Sequence, residues 1–198
     1  MTLGQEFHGW GFTINDEIEN LRAAQEHLKI VNLGATAIGT TVTAAPGYPE
    51  LAVKNLAELT GIDFKNSEDL IAATSDCGAY MTLSSAIKGL AVKMTKVCND
   101  IRLLASGPRC GLKEINLPQL QPGSSIMPGK VNPVAAEVAN QASFLAIGLD
   151  TTVMLAASAG QLELNVMEPV ITYALYTQMK VMTNACDTLR KLSLIHIS

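Results

Sequence analysis

Leu83, Ile87, Leu90, Met94, Val97, Ile101 and Leu104 recur in unbroken steps of four and three. Apolar residues at that spacing share one face of an α-helix, and three heptads of it make the seam of a helix bundle. A core stripe accounts for the pattern; nothing in it calls for a cofactor. Phe7, Gly11, Ile14, Ile18, Leu21, Gln25 and Leu28 step in the same way and predict a long helix over about 3–32. Shorter helices are predicted from near Glu50 to Thr60 or Gly61, and over about 67–74. In the second of these, Ser67 is the candidate N-cap and Asp69 lies near the positive helix end. Gly107-Pro108 closes the helix that carries the seam. An irregular stretch over 108–132 follows, a length that is usually functional or disordered. Two more long helices are predicted, over about 133–159 and 164–191, with Pro169 positioned to kink or restart the second. Strand signals are weak throughout. The pattern predicts an all-α, elongated long-helix bundle. Its seams are too extensive for one thin chain to cover, which points to an oligomer.

Composition sharpens this picture. Of 198 residues, 48% are hydrophobic but only 5% aromatic, a mixture that suits close-packed helices better than aromatic-rich strands. The net charge is −4 with no basic run, which argues against nucleic acid as a partner. The apolar stretches are too short or too polar to span a bilayer, and no secretory signal opens the chain. Cys77, Cys98, Cys110 and Cys186 form no C-x-x-C pair, as expected of reduced structural thiols in a cytoplasmic protein. His8 and His27 read as helix-face residues, and the histidines lack the cysteine neighbours of a metal site.

One stretch resists a purely structural account. "QPGSSIMPGKVNP", Gln121 to Pro133, packs two serines, two glycines, three prolines, a lysine and an asparagine before a helix. Gly123 and Gly129 permit backbone conformations closed to other residues, and the prolines stiffen what surrounds them. Asn132-Pro133 reads as an N-cap before a first helical residue. The helix start then offers N–H groups and a positive dipole end, with Lys130 adding a full charge. Ser124 and Ser125 place hydroxyls beside it. Recognition of a carboxylate or phosphate is one reading; a capped interhelical turn with a solvent-exposed lysine is the other. A serine becomes a base only where oriented N–H groups and nearby positive charge stabilise its alkoxide.

"GSSIMPGKVNP" resembles the signature of the fumarase/aspartase superfamily, whose members eliminate a group from a succinyl skeleton and release fumarate. "LGQEF", "VNLGATAIGT", "EDLIAATSDCGAY", "NDIRLLASGPRCGLKEINLP" and "AGQLELNVMEPV" are similar to the aspartate ammonia-lyase branch. Fumarases differ around Asp76 and near Gln161, Met167 and Glu168. The resemblance covers residues 1 to about 191 and implies the superfamily's central helical domain. In that family four subunits form one helical core, and each active site draws on three of them.

The resemblance also implies site roles. Ser124 is the base that removes the C3 proton of L-aspartate, giving an aci-carboxylate before ammonia leaves. Lys130 and Asn132 bind a substrate carboxylate, and Ser125 hydrogen-bonds the substrate in a closed loop. Gly123 and Gly129 shape that loop. Glu137 matches a carboxylate that orients a histidine in fumarases, with a solvated helix-face glutamate as the rival reading. No cofactor and no metal are implied. Fumarate hydratase and a non-catalytic helical scaffold remain as alternatives. Relatives read "GTGLN" or "GTGIN" where this chain reads "GTTVT", Gly39 to Thr43. If Thr41 adopts positive φ, strain of about 1 kcal/mol follows.

Both chain ends carry expectations of their own. "LSLIHIS", Leu192 to Ser198, reads as the translation of a transposon-end sequencing adapter, so that 1–191 is the lyase domain and 192–198 is not native. "MTLGQEF" lies inside the sequence of full-length relatives, downstream of other substrate-binding loops. On that reading the native protein extends beyond both ends, and the 198-residue chain alone is inactive.

Overall fold

The computed structural model describes residues 1–194 and Ile197. Its elements are α1 (Leu3–His27), β1 (Ile30–Val31), α2 (Tyr48–Thr60), β2 (Lys65–Asn66), α3 (Leu70–Ser75), α4 (Gly78–Leu104), α5 (Val134–Ala157) and α6 (Glu168–Leu192). Among the described residues no helix is long and apolar enough to cross a membrane. The chain divides into two compact units. Unit one holds Met1–Glu17, Ile87–Leu149 and Tyr176–Ser198; unit two holds Ile18–Ala86 and Asp150–Leu175.

In unit one the α4 seam is buried as its period demands. Ile87, Met94, Val97, Ile101 and Leu104 are core residues. Ala135, Ala136, Ala139 and Ala146 of α5 are also buried, and side chains this small let helices approach closely. Two amide side chains of this core donate hydrogen bonds, while the buried Asn140 Oδ1 and Ser193 Oγ have no partner among the described residues. Gln178 Nε2 donates to the Ala146 carbonyl at 2.9 Å, and Asn140 Nδ2 donates to Asn99 Oδ1 at 2.8 Å.

The face of α1 differs from the expected one. Phe7, Ile14, Leu21 and Leu28 lie half-buried, but the positions between them are not Gly11, Ile18 and Gln25, which are exposed. They are Trp10, Glu17 and Ala24, all buried. Trp10 packs its ring on Phe7, centroids 4.7 Å apart. Glu17 is only 4% exposed and forms an ion pair with Lys93 of α4. Gly89 makes room for that carboxylate: a Cβ there would lie 2.7 Å from Glu17 Oε2. A charge on the inner face concealed the stripe. The helix also stops at His27, short of the expected residue 32, because the chain turns into β1.

Cys98 is fully buried in unit one. Burial first, and then the neighbouring Cys186, push its thiol from the ordinary 9.0 up to about 12; Arg102 opposes them weakly. The sign follows from linkage. The folded thiol keeps its proton where the unfolded one has lost it, so this stabilisation is whole below pH 9 and is lost as pH rises toward 12. Between pH 8 and about pH 10.5 the loss amounts to about 2 kcal/mol. Urea midpoints at the two pH values check it: Cys98→Ala should show a pH dependence shallower by that amount.

Unit two contains two short strands, which leave the fold helical as expected. β1 and β2 run parallel, with Ile30 opposite Lys65 and Val31 opposite Asn66. With two residues each, they leave no alternation to read in the sequence. α3 begins at Leu70 and its cap is Asp69, not Ser67. Asp69 Oδ1 accepts from the N–H groups of Ile71 and Ala72 at 2.9 and 3.0 Å. Ser67 instead exchanges hydrogen bonds with the Asp69 backbone.

The last helix starts at Glu168 and not at 164, so Pro169 sits in its first turn, where a missing N–H is harmless. Asn165 organises the turn before it. Its Nδ2 donates to the carbonyls of Ala156 and Ala157 at 3.1 and 3.2 Å, and its Oδ1 accepts from Met167 N–H at 2.8 Å. One buried side chain thus serves the end of α5 and the approach to α6. Leu192 is the last residue of α6, and Ser193 and Leu194 follow directly on it, with Ser193 N–H donating to the Leu189 carbonyl. Ile195, His196 and Ser198, on which part of the adapter expectation falls, lie outside the described residues.

The loop carrying "GTTVT" is strained as anticipated. Thr41 has φ 56° and Thr43 φ 71°, with Thr36 at 65° nearby. β-branched residues in the left-handed region are genuine outliers. Thr41→Gly relieves a strain of about 1–2 kcal/mol and adds unfolded-chain entropy worth about half of that. The variant is expected to be more stable by about 1 kcal/mol, measured by urea denaturation.

Candidate active site

Between α4 and α5 the chain folds without secondary structure, anchored at one end by Ile115, which is buried. The N–H groups of Glu114 and Ile115 both donate to the Leu104 carbonyl, at 2.9 and 3.4 Å. At the other end α5 begins at Val134, one residue later than the Asn132-Pro133 cap implies. The Pro133 carbonyl accepts the first helical bond, from Glu137 N–H at 3.0 Å. The Asn132 backbone carbonyl, not its side chain, receives the Val134 N–H at 2.9 Å.

Within this frame residues 123–130 close on themselves. Gly123 sits so near the Lys130 carbonyl that a Cβ would lie 2.6 Å from its oxygen. Gly129 takes φ 80°, the left-handed turn that glycine allows. Lys130 N–H donates to the Met127 carbonyl at 3.2 Å. The Ser124 hydroxyl oxygen accepts two backbone hydrogen bonds, from the N–H groups of Ile126 and Met127, each at 3.2 Å. Those donors are what a serine alkoxide requires. They were hidden from sequence reasoning because the apolar Ile126 and Met127 act here through their backbone.

A cavity of about 320 Å³ opens at this loop, lined by Ser124 and Lys130 together with Gln119, Gly123, Met127, Gly129 and Val131. Lys130 makes no ion pair among the described residues. Ser124, whose hydroxyl is held by two N–H donors, and Lys130, which makes no ion pair among the described residues, therefore line one cavity. Of the other expected site residues, Ser125 is exposed next to Ser124, while Asn132 and Glu137 are half-buried; none of the three lines this cavity. Gln119, Met127 and Val131 line it without having been singled out in the sequence. Among the described residues no group of three His, Cys, Asp or Glu side chains is placed to hold a metal ion.

Comparison with known proteins identifies the family. A family model described as Lyase matches residues 1–148. Aspartate ammonia-lyase of Escherichia coli (strain K12) is 59% identical over 189 residues, covering 96% of this chain and 40% of the relative. Aspartate ammonia-lyase of Pseudomonas aeruginosa is 54% identical over 192 residues, again 96% of this chain and 40% of the relative. The chain thus spans about 40% of the length of these curated relatives. Among solved structures, fumarate lyase:delta crystallin from Brucella melitensis bound to cobalt superposes with a TM-score of 0.97 at 44% identity, over 100% of this chain and 43% of that one. Class II fumarase from Schistosoma mansoni superposes with a TM-score of 0.93 at 30% identity, over 100% and 44%. A long-helix fold shared with fumarate lyases, a family model matching three-quarters of the residues, and these identities agree: the chain belongs to the lyase family of the fumarase/aspartase superfamily.

Proposed function

We propose that this chain is the central helical part of an aspartate ammonia-lyase, which converts L-aspartate to fumarate and ammonia. The observation that carries the reading is the Ser124 hydroxyl, held by two backbone N–H groups on a cavity it shares with Lys130. Identities of 54–59% to aspartate ammonia-lyases support the choice of substrate.

In this mechanism the Ser124 alkoxide takes the proton from C3 of aspartate. The electron pair moves into the adjacent carboxylate, giving an aci-carboxylate whose added charge needs a cation. Lys130 and Asn132 hold that carboxylate. The carbon–nitrogen bond at C2 then breaks, the C2–C3 double bond forms, and the amine departs as ammonia. Ser125 binds the substrate as the loop closes and excludes water. Glu137, in the first turn of α5, takes the supporting role of the carboxylate it matches. The exposed apolar side chains of α5 and α6, Phe144, Leu155, Tyr173 and Tyr176 among them, pack against further copies in a homotetramer.

The test uses the full-length protein that carries this segment. Fumarate absorbance is followed with L-aspartate and, separately, with L-malate. Fumarate from aspartate alone is the expected result. Fumarate from malate alone moves the protein to the fumarases, and no fumarate from either substrate by a folded tetramer overturns both readings.

A further inference from the structure

Met127 meets the serine cavity through two separate parts of one residue. Its backbone N–H donates to the Ser124 hydroxyl and its carbonyl accepts from Lys130 N–H, both at 3.2 Å. The residue is 51% exposed, lies between α4 and α5 where the chain has no secondary structure, and lines the cavity beside Ser124 and Lys130. No other methionine combines these features. Met94 and Met182 are core residues. Met81, Met154 and Met179 lie within helices and Met167 in the approach to α6; these four are 38–49% exposed. None of them lines the cavity. Met1 is more exposed but lies ahead of α1.

We propose that Met127 is an oxidation-sensitive site, at which peroxide weakens substrate binding without touching the serine base. The proposal rests on the function assigned to this cavity. A thioether is oxidised where peroxide reaches its lone pair, so exposure ranks the methionines. The S–O bond forms as the peroxide O–O bond breaks. Sulfur loses two electrons, and the proton of the transferred oxygen leaves with the departing hydroxide as water. The product is a polar sulfoxide, a stronger hydrogen-bond acceptor than the thioether it replaces. It stands on the cavity that also holds Lys130, the partner assigned to a substrate carboxylate. The sulfoxide oxygen competes for the N–H donors of that ammonium group. The backbone N–H that serves Ser124 is unaltered by oxidation of the side chain. Substrate affinity therefore falls, while the chemical step keeps its donors.

The full-length protein is incubated with hydrogen peroxide, then with dithiothreitol to return reversible oxidation at cysteines such as the exposed Cys110. Sulfoxide at each methionine is read by peptide mass, fumarate binding by calorimetry, and KM and kcat with L-aspartate. Met127 should oxidise about threefold faster than Met81, Met154, Met167 or Met179, and saturating fumarate should slow it. The fumarate Kd and the aspartate KM should rise about fivefold or more, with kcat nearly constant. Methionine sulfoxide reductases A and B together should restore both, a readout that needs no variant. Met127→Leu, judged against its own untreated state, should keep its fumarate affinity through the same exposure. Slower oxidation of Met127 than of Met81, full sulfoxide at Met127 with an unchanged Kd, or equal loss of affinity in treated Met127→Leu would each overturn the assignment. The mass and binding readouts need no turnover, so a lack of fumarate from aspartate, which fails the proposed function, is read apart from them.

Discussion

On the proposed mechanism, Ser124→Ala in the full-length protein is expected to lower fumarate formation from aspartate by about 10³-fold or more, while the protein stays folded and keeps its assembly state. The size follows from the role: a positioned base contributes about 10²–10⁴-fold, and the two N–H groups on this oxygen lose their purpose with it. The Ile126 and Met127 N–H groups each reach the hydroxyl oxygen at 3.2 Å, so the alkoxide of the proposed mechanism would be stabilised there. Ser124→Cys is a useful companion, since a thiolate forms more easily yet is larger than the oxygen this turn accommodates. Stopped turnover with unchanged circular dichroism, melting and elution volume is the expected combination. Unchanged turnover in Ser124→Ala removes serine-base catalysis and favours a scaffold role.

The second large effect is on stability. Lys93→Met is expected to destabilise by about 3 kcal/mol, because it leaves Glu17 buried without a counter-charge. The figure sits at the low end for broken buried pairs, since the Lys93 side chain is 34% exposed and water screens part of the interaction. Replacing both residues, Glu17→Leu with Lys93→Met, should recover most of the loss, because two apolar side chains need no pairing. Urea denaturation of the two single variants and the double variant gives the coupling directly. A Lys93→Met cost below about 0.5 kcal/mol would mean that the pair contributes as little as an exposed one.

The same pair explains where the sequence misleads. Long helices were legible because apolar spacing dominates their sequence, and the α4 seam is buried nearly as its period requires. On α1 the true inner face passes through Glu17, while apolar Ile18 beside it is exposed; hydrophobicity alone chose the wrong neighbour. The displaced cap of α3 has a similar origin. Ser67 and Asp69 both have capping side chains, and only the backbone path decides that Asp69 reaches Ile71 and Ala72. β1 and β2 were illegible because two residues carry no period. At the site, the motif pointed to Ser124 and Lys130, which share a cavity. The donors to Ser124 come from the backbone, where residue identity leaves no trace.

Asn165 ties two helix ends to one side chain: the carbonyls of Ala156 and Ala157 on one side, the N–H of Met167 on the other. When the Asn165 side chain leaves its buried place, all three hydrogen bonds, two to α5 and one to the approach to α6, break at once. The last turn of α5 and the approach to α6 therefore fray together, as a single opening event with one free energy, and their amides exchange with solvent as one cooperative group.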